Sequence, residues 1–405
     1  GGWSMASLEG EVLGLLGNLE PYVVTLGRCW AIGGVVGTAV GTALGSVVGV
    51  GFAIPTFGLS IAIGTGIGAA AGAGLGACVG SVVGTRICAG ALENNLLYHP
   101  QKYRNVDFVG KDFFFGEHTY ICEKVGYDLD GRSGDDATQS AYLLRRHDGE
   151  ACALWMLFGG NGMVARDWFQ FLPLLLKPDR PAAPNVAFLL FDYPGYGANG
   201  GHPHQASVLR ASRNALRAAL AHFGPVQKLD VNLFGHSLGA AAAAQLAAQL
   251  SNDGEPSGRL LMSAPFLSIP HMAVELAGGL LQSLSLPSPP ASLRTLARSA
   301  QPISRQLLPL LLQPVVPQLW ANAAAVRVAA RAGWHLGFVH GTMDEKVPVE
   351  MGVELHGIAK AEASSVGAPP ATFAWIADAG HDDVLRVGLS EYARFMGLEG
   401  SIAAS

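Results

Sequence analysis

Charge is scarce in this 405-residue chain: Lys, Arg, Asp and Glu together make up 14% of it, against roughly 25% in an ordinary soluble domain. A basic excess is lacking too. With 26 Lys and Arg against 31 Asp and Glu the formal net charge is −5, which argues against nucleic acid as a partner. The five cysteines (Cys29, Cys78, Cys88, Cys122 and Cys152) are an odd number without a CxxC pair. Neither a disulfide framework nor a zinc site is expected, and a reducing compartment fits. The first residues show no cleavable signal peptide, Gly1 to Ser4 being read as extraneous to the first methionine, Met5. What is abundant is apolar: 50% hydrophobic residues, 53 glycines and a mean hydropathy of +0.31. Disorder across the chain is excluded, and membrane contact is implied.

The low charge has one main source. From Cys29 to Thr85 there are 57 residues without Asp, Glu, Lys, Arg, His, Asn or Gln. Pro55 divides this run into stretches of roughly 26 and 30 residues, each above the about 20 that a spanning helix needs. Gly33, Gly37, Gly41, Gly45 and Gly49 recur every fourth residue, as do Gly64, Gly68, Gly72, Gly76, Gly80 and Gly84. Every fourth position lies on one helix face, so each helix presents a smooth groove to a partner backbone. A glycine-zipper helical hairpin over 29–88, preceded by an N-terminal segment 1–28, is the expectation, with homo-oligomerisation through the grooves. Arg28 and Arg86 bracket the hairpin and place both of its ends, together with the chain beyond it, on the cytosolic side. Cys29 and Cys88 are read as small apolar residues, with reversible acylation as the alternative.

Beyond Glu93 short apolar runs alternate with helical periods, the pattern of an α/β domain with a mostly parallel sheet. Phe113 to Lys124 and Ala137 to Arg146 are predicted as paired strands. Cys152 to Phe158, Asn185 to Phe191, Leu229 to Phe234, Arg259 to Ser263, Leu336 to Val339 and Ala371 to Ile376 are predicted as buried strands. Helices are predicted at Arg210 to His222, Leu238 to Leu250, Glu350 to Ala359 and Asp383 to Phe395.

The strongest chemical signal is Gly235-His236-Ser237-Leu238-Gly239, placed between the strand Val231 to Phe234 and an Ala-rich helix. A sharp strand-to-helix turn brings backbone so close to the serine that only glycine is tolerated at the flanking positions. Ser237 then projects its hydroxyl above the sheet, and the N–H of Leu238 at the helix start can stabilise an oxyanion. A serine needs a base and an acid further along the chain. His381 in Ala379-Gly380-His381-Asp382 follows the last strand, and Asp344 in His340-Gly341-Thr342-Met343-Asp344 follows the strand before it. His381 would take the proton of Ser237 while Asp344 orients the imidazole, with Glu345 and Asp378 as alternatives for the acid. Phe158-Gly159-Gly160-Asn161-Gly162 is expected to supply the second oxyanion donor from the backbone of Asn161. Asp192-Tyr193-Pro194-Gly195-Tyr196-Gly197 is read as a structural turn.

FGGNG, FDYPGYG, GHSLG, HGTMDEKVP and AGHDD, in this order, together resemble the α/β-hydrolase superfamily, and within it the α/β-hydrolase-domain (ABHD) type of serine hydrolase. Leu97-Tyr98-His99-Pro100 is similar to a Tyr-x-Pro segment of that group. The resemblance covers about residues 95–397, with a tail over 398–405. It implies an α/β-hydrolase fold, Ser237 as nucleophile, Asp344 as acid, His381 as base, the Leu238 and Asn161 amides as oxyanion hole, and no cofactor or metal. Many members carry His-Gly where this chain has Gly159-Gly160.

Residues 266–325 exceed what a strand-to-helix connection needs and are expected to form a cap. Gln306 to Val326, which overlaps its end, carries no charge, and the prolines there argue against a third spanning helix. An apolar cap behind a membrane hairpin points to a membrane-anchored esterase, lipase or phospholipase, or a protein deacylase. Such an enzyme cleaves acyl esters or thioesters of lipids or acylated proteins. The alternatives are a serine peptidase, and a membrane-inserting pore or effector whose hairpin is the active part.

Overall fold

The computed structural model describes residues 97–103, 105–130, 138–176, 184–223, 229–275 and 318–398, with isolated positions 38, 69, 73, 309 and 316. The chain divides into two compact units, residues 1–93 with 312–317 and residues 94–311 with 318–405. The hairpin expected at 29–88 falls in the first unit and lies outside the described residues, as do 276–308 of the expected cap. Among the described residues no helix is long and apolar enough to cross a membrane.

The second unit is built on a nine-stranded sheet: β1 (Asp112–Phe115), β2 (His118–Tyr127), β3 (Gln139–Arg146), β4 (Ala153–Phe158), β5 (Val186–Phe191), β6 (Asp230–His236), β7 (Arg259–Ser263), β8 (His335–Gly341) and β9 (Thr372–Ile376). The order across the sheet is β1-β2-β3-β5-β4-β6-β7-β8-β9. β1, β2 and β3 pair antiparallel, β3 meets β5 antiparallel, and the six strands from β5 to β9 run parallel. Parallel strands covered on both faces read as continuous apolar runs, and every residue of β5 is buried.

The helices are α1 (Trp168–Leu175), α2 (Gln205–Leu220), α3 (Leu238–Asn252), α4 (Asn322–Arg331), α5 (Val349–Val366), α6 (Val384–Val387) and α7 (Leu389–Met396). The period of two along each strand sends Trp155, Phe188, Phe234 and Leu261 to one face, where they form a core with Trp168 and Phe171 of α1 and Tyr392 of α7. α2, α3 and α4 pack in sequence, with α5 beyond α4 against β8 and β9. The chain steps from β4 to β5 on one side and then to β6 on the other. The carboxyl ends of β4 and β6 therefore flank the crevice where the strand order reverses, the usual ligand position in an open α/β sheet.

Several expected boundaries shift. The strand expected over Phe113 to Lys124 is two antiparallel strands, because Gly116 takes φ +62 and turns the chain with Glu117. α2 starts five residues before Arg210: His204 Nδ1 accepts the N–H of Ser207 at 3.1 Å while Ser207 Oγ accepts the N–H of His204 at 3.0 Å, a reciprocal cap. The helix expected over Asp383 to Phe395 breaks into α6 and α7 at Gly388. Asn322 to Ala325, inside the expected cap, belong to α4, which packs against α3 and α5.

Candidate active site

Ser237 sits between β6 and α3 with φ 55 and ψ −118, a conformation that costs a non-glycine residue about 1–3 kcal/mol. The surroundings enforce it. A Cβ on Gly235 would collide with the backbone of Gly239, and one on Gly239 with the carbonyl oxygen of Phe158 at the end of β4. Both glycines are thus required by close approach, and they let α3 start tight against the sheet. Ser237 is held from β7 as well, its N–H donating to Ser263 O at 2.8 Å.

The residues expected far apart in sequence meet here. His381 Nε2 lies 2.9 Å from Ser237 Oγ, and His381 Nδ1 lies 2.8 Å from Asp344 Oδ2. Asp344 comes from the loop after β8 and His381 from the loop after β9, both at strand carboxyl ends. The Asp344 carboxylate is buried and fully engaged: Oδ1 accepts the N–H groups of Lys346 (2.9 Å) and Val347 (2.8 Å), and Oδ2 also faces His340 Nε2 at 3.2 Å. Burial pushes its carboxyl up, but the hydrogen bonds from His340 and His381 outweigh burial and hold it well below the usual carboxylate range. An ionised Asp344 assigns the proton to His381 Nδ1 and leaves Nε2 to accept from the Ser237 hydroxyl. Glu345 does not take this place, since its Oε2 accepts the backbone N–H of His381 at 3.3 Å. Asp378 is tied by its own N–H to Thr342 Oγ1 at 3.0 Å. A Lys346 to Asp382 ion pair, 2.8 Å to each carboxylate oxygen, joins the two loops at the surface.

Two further histidines belong to the surroundings. His340, fully buried, donates from Nε2 to Val347 O at 3.0 Å while also facing Asp344. The His236 ring lies 5.1 Å from the His381 ring, tilted by 43°, and bonds Ser263 Oγ at 3.1 Å through Nδ1; Ser263 Oγ in turn meets Tyr392 OH at 2.7 Å. Burial and the neighbouring His381 press His236 far below the ordinary histidine range, so it stays neutral. No local signal marks His340, whose partner lies four residues on and is visible only once the loop turns.

The Gly159 to Gly162 loop runs beside the serine, a Cβ on Gly160 lying 3.7 Å from Ser237 Cβ. Gly160 O accepts the N–H of Met163 at 3.2 Å, so in this trans peptide the N–H of Asn161 points the opposite way. Leu238 is the first residue of α3, and its N–H has no intrahelical acceptor. The DYPGYG turn does more than floor the site. Tyr193 OH donates to Gly159 O and Tyr196 OH to Asn161 O, each at 2.6 Å. At the first position of that turn the buried Asp192 accepts from Ala165 N at 2.7 Å and from Tyr103 OH. Among the described residues no cluster of His, Cys, Asp and Glu could hold a metal ion.

Residues 156–395, more than half of the chain, match the model of the alpha/beta hydrolase family, and the chain belongs to that family. Its curated relatives include uncharacterized proteins of two Mycobacterium tuberculosis strains, each 38% identical over 84 residues. That stretch is 21% of this chain and spans 28% of the length of those relatives. Among solved structures, a Pyrococcus furiosus esterase superposes with a TM-score of 0.46 at 15% identity, covering 74% of this chain and 97% of its own. A cold-adapted esterase from an Arctic intertidal metagenomic library gives 0.41 at 14%, covering 73% of this chain and 100% of its own.

Proposed function

We propose that this protein is a membrane-anchored serine hydrolase that cleaves acyl esters or thioesters through Ser237, His381 and Asp344. The observation that carries the reading is the unbroken hydrogen-bonded chain from Ser237 Oγ through the His381 ring to the ionised Asp344. Ser237 Oγ attacks the acyl carbonyl as His381 Nε2 takes its proton, and Asp344 stabilises the resulting imidazolium. The carbonyl oxygen becomes an oxyanion received by the N–H groups of Leu238 and Asn161. His381 then gives its proton to the leaving alcohol or thiol as the carbon to oxygen or sulfur bond breaks. Water, deprotonated by the same nitrogen, releases the acid from the acyl-enzyme.

The substrate class rests on the sequence. The charge-free run at 29–85 supports membrane attachment, Arg28 and Arg86 at its ends support the cytosolic side, and the charge-free 306–326 supports an apolar acyl group. Attachment raises the local concentration of lipid or acylated-protein substrates. Labelling by a fluorophosphonate probe, which reports an activated serine whatever the substrate, tests the reading. Membrane-bound wild type is expected to label and Ser237→Ala to stay unlabelled; unlabelled wild type in folded form overturns it.

A further inference from the structure

We propose that Tyr193 and Tyr196 are positioning residues that set the oxyanion-binding loop, an inference resting on the serine-hydrolase reading above. Oxyanion stabilisation requires donors fixed in advance, and a run with glycine at 159, 160 and 162 is by itself the loosest backbone a chain can offer. At Gly159 a side chain cannot serve as anchor: a Cβ there would lie 2.7 Å from Met163 Cβ. The anchor comes from the neighbouring turn.

Tyr193 OH donates to Gly159 O and Tyr196 OH to Asn161 O, both at 2.6 Å, while Met163 N–H takes the carbonyl between them at 3.2 Å. Three successive carbonyls are thus assigned. Their peptide planes are fixed with them, which directs the Asn161 N–H. The two rings are buried and meet edge to face at 5.3 Å. Their turn is closed by Tyr196 N–H on Tyr193 O at 2.9 Å and by Gly195 at φ +85. Burial raises both phenols above their ordinary range, so each remains a neutral donor at working pH. Tyr196 OH also accepts the N–H of His99 at 2.9 Å, and that N–H reaches Asn161 O at 3.1 Å. Asn161 O therefore keeps a partner in Tyr196→Phe, which is expected to fold.

The test measures kcat and KM on p-nitrophenyl butyrate and the rate of fluorophosphonate labelling for full-length wild type, Tyr196→Phe, Tyr193→Phe and Tyr142→Phe. Tyr142 is a buried tyrosine of β3 whose hydroxyl meets Tyr103 and serves as control. Tyr196→Phe should lower kcat about tenfold, less than the 10²–10³ that follows loss of an oxyanion donor outright. KM should stay within about twofold, because the oxyanion forms only after binding. Labelling should slow in parallel, and Tyr142→Phe should match wild type. If Tyr193→Phe does not fold, Tyr196→Phe carries the test. Unchanged kcat and labelling per folded molecule, or a loss confined to melting temperature, overturn the inference and leave the serine-hydrolase reading intact. Wild type that does not label overturns both.

Discussion

Replacing Asp344 by Asn changes one atom and should abolish most of the activity without unfolding the protein. Four donors converge on this carboxylate, two backbone N–H groups on Oδ1 and two imidazole nitrogens on Oδ2. The asparagine oxygen can keep the first pair, which places its NH2 group where Oδ2 was, facing the His381 and His340 nitrogens. His381 then turns its bare Nδ1 to the amide and carries its proton on Nε2, against Ser237 Oγ, where it cannot act as base. A wrong tautomer at this point lowers kcat by about 10⁴, or roughly 5.5 kcal/mol of barrier, and KM should change little. Stability should fall too. A carboxyl held below its ordinary range stabilises the fold fully above the unfolded value near 3.8, and loses that contribution as pH falls through the lower folded value. The variant should therefore melt below wild type at pH 7 and converge with it in strong acid. Initial rates on a chromogenic ester, with melting curves from pH 2 to 8, test both parts. Asp344→Asn with near wild-type kcat would refute the assignment. Glu345→Gln, at a side chain that bonds the backbone of His381 and not its ring, should keep most of the activity.

Gly239→Ala places a methyl group against the Phe158 carbonyl and should cost more than the ~1–3 kcal/mol of ordinary overpacking, read as loss of folded protein or a lower urea midpoint. Burial raises the Asp192 carboxyl from 3.8 to about 6, equivalent to about 3 kcal/mol. The native state then binds more protons than the unfolded one between pH 4 and 6, so stability declines with rising pH across that window. Asp192→Asn should flatten this slope in urea titrations at pH 4.5 and 6.5, and an unchanged slope would place the titration elsewhere. The full-length chain should remain in the membrane pellet after alkaline carbonate extraction; complete release would argue against anchoring by 29–88.

The parallel strands were the readable part of the fold. β4 and β5 are continuous apolar runs because both sheet faces are covered, and burial of that kind leaves little ambiguity in sequence. α1 was hidden by Pro173 inside it, although Trp168, Phe171, Leu172 and Leu175 keep helical spacing. α4 was hidden by the Leu- and Pro-rich stretch before it, which drew the expected cap past its start. At the site, Ser237, Asp344 and His381 were legible because each sits in a glycine-marked loop after a strand. His340, Tyr193 and Tyr196 were not, because their partners are Asp344 and the carbonyls of a loop some 35 residues away. A hydroxyl that holds a backbone carbonyl leaves no pattern in the sequence of either partner.

Ser237 should become acylated during turnover, which acid-quenched intact mass with peptide mapping detects. After incubation with p-nitrophenyl butyrate the protein should gain one butyryl group, on the peptide that contains Ser237, absent in Ser237→Ala. Ester hydrolysis with an adduct on another residue, or persisting in Ser237→Ala, would contradict it.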